Sequence, residues 1–122
     1  MHNRNMKKVL IVDDSLISRR MISKLISKHN FQIDEAVNGQ QALEKIRATQ
    51  YDIVFLDLLM PDVNGLQILS DLKKENCPTK VIVISADIQE TTKQKCKELG
   101  AFAFLNKPPK EDELDDVIQK LV

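Results

Sequence analysis

The sequence Ile-Val-Phe-Leu-Asp at residues 53–57 decides the fold, because four apolar residues run without interruption into an acid. Similar apolar runs, each followed at once by a polar residue, occupy residues 9–12 and 81–84. Strands that are apolar on both faces are typical of the centre of a parallel sheet, whose two sides are covered by helices. We therefore predict three central parallel strands at 9–12, 53–56 and 81–84.

Two further segments, 31–36 and 101–105, alternate in character from residue to residue, as half-exposed edge strands do. Apolar residues recur at helical spacing between the strands. The predicted stripes are Ile17, Met21, Ile22, Leu25 and Ile26; Ala42, Leu43 and Ile46; Leu66, Leu69 and Leu72; and Leu114, Val117, Ile118 and Leu121. Helix starts are predicted where a capping residue precedes an acid or amide by three positions: Asn38 with Gln41, Asn64 with Gln67 and Asp87 with Glu90.

Five successive strand-then-helix units in 122 residues predict one α/β domain over residues 1–122. Right-handed crossovers and two exposed edges favour a doubly wound, flavodoxin-like parallel sheet of order 2-1-3-4-5 with five helices. Strands one and three are then neighbours, and the strand order reverses between them. Sheets of this type bind their ligand in the crevice at the carboxyl ends of those strands.

Composition and charge exclude other classes of protein. The chain is 43% hydrophobic and 30% charged, which is typical of a soluble globular domain. Eighteen basic and eighteen acidic residues cancel, so direct nucleic-acid binding is not expected. The apolar runs are far shorter than the ~20 residues of a spanning helix, and residues 9–12 are too few for a signal peptide, so we expect no membrane insertion and a cytoplasmic location. Cys77 and Cys96 are expected to be buried or partly buried apolar residues.

Polar residues stand at the carboxyl ends of four predicted strands: Asp13 and Asp14, Asp57, Ser85, and Lys107 before Pro108. Taken singly, each has a simpler explanation as a helix cap, a loop acid, a turn residue or a solvated charge. The carboxyl ends of parallel strands meet at one edge of a sheet, however, so these groups should converge. Three close carboxylates require a cation, and oxygen ligands select Mg²⁺. A lysine and a hydroxyl opposite them suit a phosphoryl group.

Together Asp13-Asp14, Asp57 with the following residues 58–65, Ser85-Ala86 and Lys107-Pro108 resemble the signature of response-regulator receiver domains, and the match runs from end to end. The resemblance, and in particular the likeness to stand-alone receivers of the CheY type, implies a phosphorelay switch rather than an enzyme with a separate substrate. It implies a sensor histidine kinase or phosphotransfer protein as phosphate donor and a downstream protein as target. That target could be a flagellar motor switch, a relay kinase or an output domain.

The resemblance also implies a role for each site residue. Asp57 would be the nucleophile that accepts the phosphate, and Asp13 and Asp14 would help it to hold Mg²⁺. The backbone carbonyl of Leu59 would complete the protein ligands. Ser85 and Lys107 would bind the phosphoryl oxygens, and the bond between Lys107 and Pro108 would be the family's cis peptide.

The sequence leaves alternatives open for the residues that would transmit the switch and for those that would set the lifetime of the phosphorylated state. Phe104 stands where many receivers carry a switching Tyr, so it is either a moving ring without a phenol or simply part of the edge-strand core. The polar helix after Asp87 is either a loosely held output element or a solvated surface helix. Leu59 offers no hydrogen bond to an attacking water, which predicts a slowly decaying phosphoprotein. Asp87 could hold a water, but its spacing to Glu90 favours a helix cap.

Three rival functions fit the sequence less well. A phosphatase of the haloacid dehalogenase type has a second Asp two residues after the nucleophile, where this chain has Leu59. A flavin-binding module shares the predicted fold, but Asp13 and Asp14 would repel the flavin phosphate. A phosphate-independent adaptor built on a degenerate receiver is disfavoured by the intact set of acids, hydroxyl and lysine.

Overall fold

The computed structural model describes residues 6–121, which form a five-stranded parallel sheet with five α-helices. The strands are β1 (Lys8–Val12), β2 (Gln32–Ala36), β3 (Ile53–Leu56), β4 (Lys80–Ser85) and β5 (Ala103–Asn106). The helices are α1 (Leu16–Ile26), α2 (Gly39–Ala48), α3 (Gly65–Lys74), α4 (Glu90–Glu98) and α5 (Glu111–Gln119). The sheet order is β2-β1-β3-β4-β5, with every pair parallel, which confirms the predicted doubly wound topology.

Alternate residues of the three central strands enter two separate cores. Leu10, Val54 and Val83 face the core that contains buried residues of α2, α3 and α4. On the other side, Ile11 and Phe55 face the core that includes α1 and α5. Burial on both faces explains why these strands are continuously apolar.

The first turn of α1 differs from its predicted apolar stripe. Ile17 is 82% exposed, whereas Ser18 and Arg19 are buried. Farther along the helix, Ile22 and Ile26 are buried as predicted. The prediction for Ile17 is therefore wrong, because at this end of the sheet polar acceptors of the preceding loop lie beneath the helix and draw polar side chains inward.

The predicted helix caps have three different outcomes. Asn38 caps α2 through the Gln41 N–H at 2.8 Å, as predicted. Asn64 is the N-cap of α3, but its side chain accepts from the second helical residue instead of the third. The cap assigned to Asp87 is wrong, because α4 begins at Glu90.

The Asp87 carboxylate instead closes the loop between β4 and α4. It accepts a hydrogen bond from the Gln89 N–H at 3.1 Å and another from the Thr92 hydroxyl at 2.9 Å. Aspartate commonly accepts from the backbone N–H two residues ahead. Here that turn occupies residues 87–89, so the helix begins only after it.

Within residues 6–121, the helices are too short or too polar to cross a membrane. Cys96 is buried and Cys77 is partly buried, and both are free thiols, as predicted.

Candidate functional site

Three acids come together at the carboxyl edge of β1 and β3. Asp13 and Asp14 follow β1, and Asp57 follows β3. The Asp57 N–H donates to the Val12 carbonyl at 3.0 Å, which holds the two strand ends side by side. Each acid offers a carboxylate oxygen within 4.8 Å of the others. Asp13 and Asp57 are almost fully buried, while Asp14 is exposed, so the cluster opens to solvent on the side of Asp14.

Lys107 supplies the positive charge of the site. It follows β5, and its ammonium lies 2.8 Å from Asp13 Oδ2 and 3.5 Å from Asp57 Oδ2. Burial lowers the pKa of Lys107, but the hydrogen bond to Asp13 and the charge of Asp57 outweigh burial and leave the pKa above its ordinary value. The side chain is therefore cationic throughout the neutral range. The Lys107–Pro108 peptide bond is cis.

The environment of Asp57 disfavours its negative charge. Burial raises the pKa of this carboxyl, and repulsion by Asp13 raises it further. Lys107 and the Leu59 N–H, which is 3.4 Å from Asp57 Oδ1, offset this only in part. A buried carboxylate with an unfavourable charge is stabilised by a nearby cation. An all-oxygen set of three carboxylates fits a hard divalent ion such as Mg²⁺.

Ser85 lies at the end of β4, next to β3 and β5, and is completely buried. Its hydroxyl oxygen accepts from the Asp87 N–H at 3.0 Å. A hydroxyl that accepts one hydrogen bond still carries a proton to donate. The Ser85 backbone carbonyl accepts from the Lys107 N–H at 2.9 Å. This backbone hydrogen bond holds Ser85 and Lys107 next to each other.

The other predicted residues lie outside the carboxylate cluster. Leu59 is 58% exposed on the loop after Asp57. Phe104 is partly buried on β5, where it packs against the core beneath α4, and the Lys93 ammonium is 5.7 Å from the centre of its ring. The Asp87 carboxylate accepts hydrogen bonds from Gln89 and Thr92.

The sequence predicted no role for two residues that follow Asp57, Asp62 in the loop and Gly65 at the start of α3. The Asp62 carboxylate accepts from the N–H groups of Gly39 and Gln40 at 3.0 and 3.1 Å, and the first of these bonds lowers its pKa most. It therefore ties the loop to the first turn of α2. A Cβ at Gly65 would lie 2.7 Å from Leu58 Cα and 2.8 Å from the Asp57 carbonyl oxygen, so only glycine lets α3 approach the backbone at Asp57 this closely.

Ser18 and Arg19 were also missed. Both hydrogen-bond to Asp13, the first to its carboxylate and the second to its carbonyl. The helical pattern gave no signal for them, because it predicted that their neighbour Ile17 would face inward.

Comparison with known proteins agrees with this geometry. The family model of the response regulator receiver domain matches residues 9–119. The chain is 34% identical over 116 residues to the chemotaxis protein CheY of Thermotoga maritima, a match covering 94% of this chain and 97% of that one. It is 41% identical over 105 residues to a protein-glutamate methylesterase/protein-glutamine glutaminase of Treponema denticola, covering 83% of this chain but 28% of that one. The chain therefore spans less than a third of the Treponema protein.

Among solved structures, the response regulator TrrA of Thermotoga maritima, in complex with Mg²⁺ and BeF, has a TM-score of 0.85 to this chain. The two are 30% identical, and the match covers 96% of this chain and 100% of that one. The family match spans nearly the whole described chain, and the fold and the acid cluster are those that the sequence predicted. The chain thus belongs to the response regulator receiver domains, the signalling switches of two-component systems.

Proposed function

We propose that this chain is switched on by phosphorylation of Asp57 by a sensor histidine kinase or phosphotransfer protein, with Mg²⁺ as cofactor. The observation that carries the proposal is the placement of Lys107, whose ammonium contacts Asp13 and Asp57 at the open acid cluster. A nucleophilic carboxylate needs both a cation and a lysine to neutralise the oxygens of an incoming phosphoryl group.

Receiver domains bind Mg²⁺ at an acidic cluster, and Asp13, Asp14 and Asp57 form such a cluster here. Asp14 is exposed and offers a carboxylate oxygen within 4.8 Å of one of Asp57, so these two would present ligand oxygens, together with the Leu59 carbonyl. Asp13 would support them from its buried position. When bound, Mg²⁺ supplies positive charge that draws together the carboxylates and the phosphoryl oxygens.

The chain's own groups then have distinct tasks. A carboxylate oxygen of Asp57 forms a bond to phosphorus while the bond from phosphorus to the donor's histidine nitrogen breaks, and the imidazole retains the electron pair. Lys107 donates to the phosphoryl oxygens and stabilises the charge that shifts between donor and acceptor. The Ser85 hydroxyl donates one further hydrogen bond to the same oxygens.

A protein donor is supported by the apolar surface beside the site. Leu16 and Ile17 after β1, Leu59 after β3 and Ile88 after β4 are all more than half exposed. Large apolar residues gathered at one edge of a soluble domain are typical of a protein contact. The phosphate donor would dock on these residues.

We place the output at the face formed by α4, β5 and α5. Cys96 is the buried anchor of the otherwise polar helix α4, so this helix is weakly held. The Ser85 hydroxyl is linked to α4 through the Asp87 N–H and through the bond from Thr92 to the Asp87 carboxylate. A shift of Ser85 toward a phosphoryl group would therefore pull on α4. The ring of Phe104, in contact with Lys93, would report the shift to a downstream protein.

The likeness to CheY of Thermotoga maritima over nearly its full length supports output by direct binding of a partner protein. A second possibility is control of an attached effector domain. The match to the Treponema methylesterase, which covers 28% of that protein, supports this possibility. Binding through the α4 face serves both arrangements.

Incubation with Mg²⁺ and acetyl phosphate, followed by intact-mass analysis, tests the proposal. We expect one phosphoryl group on the parent chain, none after chelation of Mg²⁺, and none on Asp57→Asn. Asp52→Asn is the matched control, because Asp52 immediately precedes β3 whereas Asp57 immediately follows it. Equal labelling of Asp57→Asn and the parent chain would show that the nucleophile is misassigned.

A further inference from the structure

The first turn of α1 places polar residues where an amphipathic helix normally places apolar ones. Ser18 is 6% exposed and Arg19 is 8% exposed, yet the neighbouring Ile17 is almost fully exposed. Burying a guanidinium is costly unless it is paired and hydrogen-bonded. Departures of this kind from the local pattern are expected at functional sites.

Both buried side chains hold the same residue, Asp13. The Ser18 hydroxyl donates to Asp13 Oδ2 at 2.6 Å. Arg19 donates from one terminal nitrogen to the Asp13 carbonyl at 2.8 Å and from Nε to Glu35 on β2 at 2.7 Å. The acid is thus fixed at its carboxylate and at its backbone, and Arg19 is itself anchored on the adjacent strand.

Asp13 Oδ2 has a second donor, the Lys107 ammonium at 2.8 Å. In the proposed reaction Lys107 must turn to the phosphoryl oxygens, which would remove this donor from a buried carboxylate. A buried acceptor that loses its partner is costly. The Ser15 N–H, at 2.9 Å, binds only the other carboxylate oxygen, Asp13 Oδ1. Ser18 donates to Oδ2 and does not depend on the lysine.

We propose that Ser18, braced by Arg19, is a positioning residue that keeps the Asp13 carboxylate oriented for Mg²⁺ and releases Lys107 for the phosphoryl group. This inference rests on the proposed function of the site. Partners that orient the groups of a metal site strongly affect the affinity for the metal, even when they do not touch it.

Isothermal titration with Mg²⁺ measures this role without any phosphoryl transfer. We expect Ser18→Ala to bind Mg²⁺ about 10-fold more weakly than the parent chain. Ser18→Thr, which keeps a hydroxyl, should restore most of the affinity. Ser23→Ala removes a hydroxyl five residues farther along the same helix and should leave the affinity unchanged.

The rate of phosphorylation gives an independent readout. With Mg²⁺ and acetyl phosphate both saturating, Ser18→Ala should still react more slowly, because Lys107 stays engaged with Asp13. The donor concentration at half-maximal rate should change little. A role limited to folding would lower the melting temperature and leave both Mg²⁺ affinity and saturated rate at parental values.

Several outcomes would overturn the inference. Parental Mg²⁺ affinity in Ser18→Ala would do so, and so would an equal loss in Ser23→Ala. If Ser18→Ala does not fold, Arg19→Lys is tested instead. Lysine keeps the positive charge but lacks the planar guanidinium that binds two acceptors at once. Parental Mg²⁺ affinity in Arg19→Lys would refute the bracing role. Absence of Mg²⁺ binding or of Asp57 labelling in the parent chain would instead refute the proposed function itself.

Discussion

Replacing Asp57 by Asn should stabilise the metal-free protein. Asp57 is only 5% exposed and has a carboxylate oxygen within 4.8 Å of one of Asp13. With an effective dielectric constant of about 20, one such repulsion amounts to about 3.5 kcal/mol. The Lys107 ammonium, 3.5 Å from Asp57, attracts it with a similar energy, but this ammonium also pairs with Asp13 and is partly solvated. The cost of removing the Asp57 carboxylate from water therefore remains uncompensated. We expect a net gain of about 1–2 kcal/mol, smaller than either opposing contribution.

The gain should depend on pH, and its sign follows from the raised pKa of Asp57. As the pH rises above the ordinary pKa, the unfolded chain releases this proton before the folded chain does. Stability is therefore lost from that point until the pH passes the folded-state pKa of Asp57. The difference between Asp57→Asn and the parent should be small below the ordinary carboxyl pKa, grow as the pH rises from there, and be complete above the folded-state pKa of Asp57.

Urea denaturation in the presence of a chelator, repeated from acidic to neutral pH, measures this difference. A gain of 1–2 kcal/mol corresponds to a rise in melting temperature of about 3–8 °C for a domain of this size. Asp52→Asn, just before the start of β3, controls for the loss of any one negative charge. The reasoning would be refuted if Asp57→Asn were no more stable than the parent at neutral pH, or if the gain did not shrink on acidification.

Three further predictions concern metal, lifetime and output. Millimolar Mg²⁺ should raise the melting temperature of the parent chain, since ion binding removes the repulsion among the acids, and an equal rise in Asp13→Ala would contradict this. Leu59→Asn should speed loss of the phosphoryl group about 3–10-fold by orienting a water, while Asp87→Ala should mainly lower stability; the reverse pattern would exchange their roles. Amide hydrogen exchange with and without a phosphoryl mimic should differ most over residues 88–104, and changes confined to α1 and α2 would argue against the α4 face.

The sequence alone predicted the central strands correctly because burial on both faces leaves an uninterrupted apolar run. The acids at residues 13, 14 and 57 follow two of these runs directly. Once the strand order was inferred, their meeting at one edge required no knowledge of side-chain packing.

Helix starts were less predictable, because spacing alone does not decide between competing local hydrogen bonds. Asn38 and Asp87 both precede an acid or amide by three positions, but only Asn38 became a cap. Asp87 turned to Gln89 and Thr92 instead, and α4 began at Glu90. Either hydrogen-bonding pattern satisfies the same carboxylate, so small differences in loop geometry select between them.

Only the tertiary structure decided how the acids are held. Lys107 contacts Asp13 from 94 positions away along the chain, and Arg19 joins the Asp13 carbonyl to Glu35 on the neighbouring strand. The same contacts turned Ser18 inward and Ile17 outward, against the helical pattern. Periodicity in the sequence shows which face of a helix is apolar over a few turns. The hydrogen bonds of Ser18 and Arg19 depend instead on which groups other elements bring to that face. A buried carboxylate needs hydrogen-bond donors, and this need outweighs the gain from burying one isoleucine.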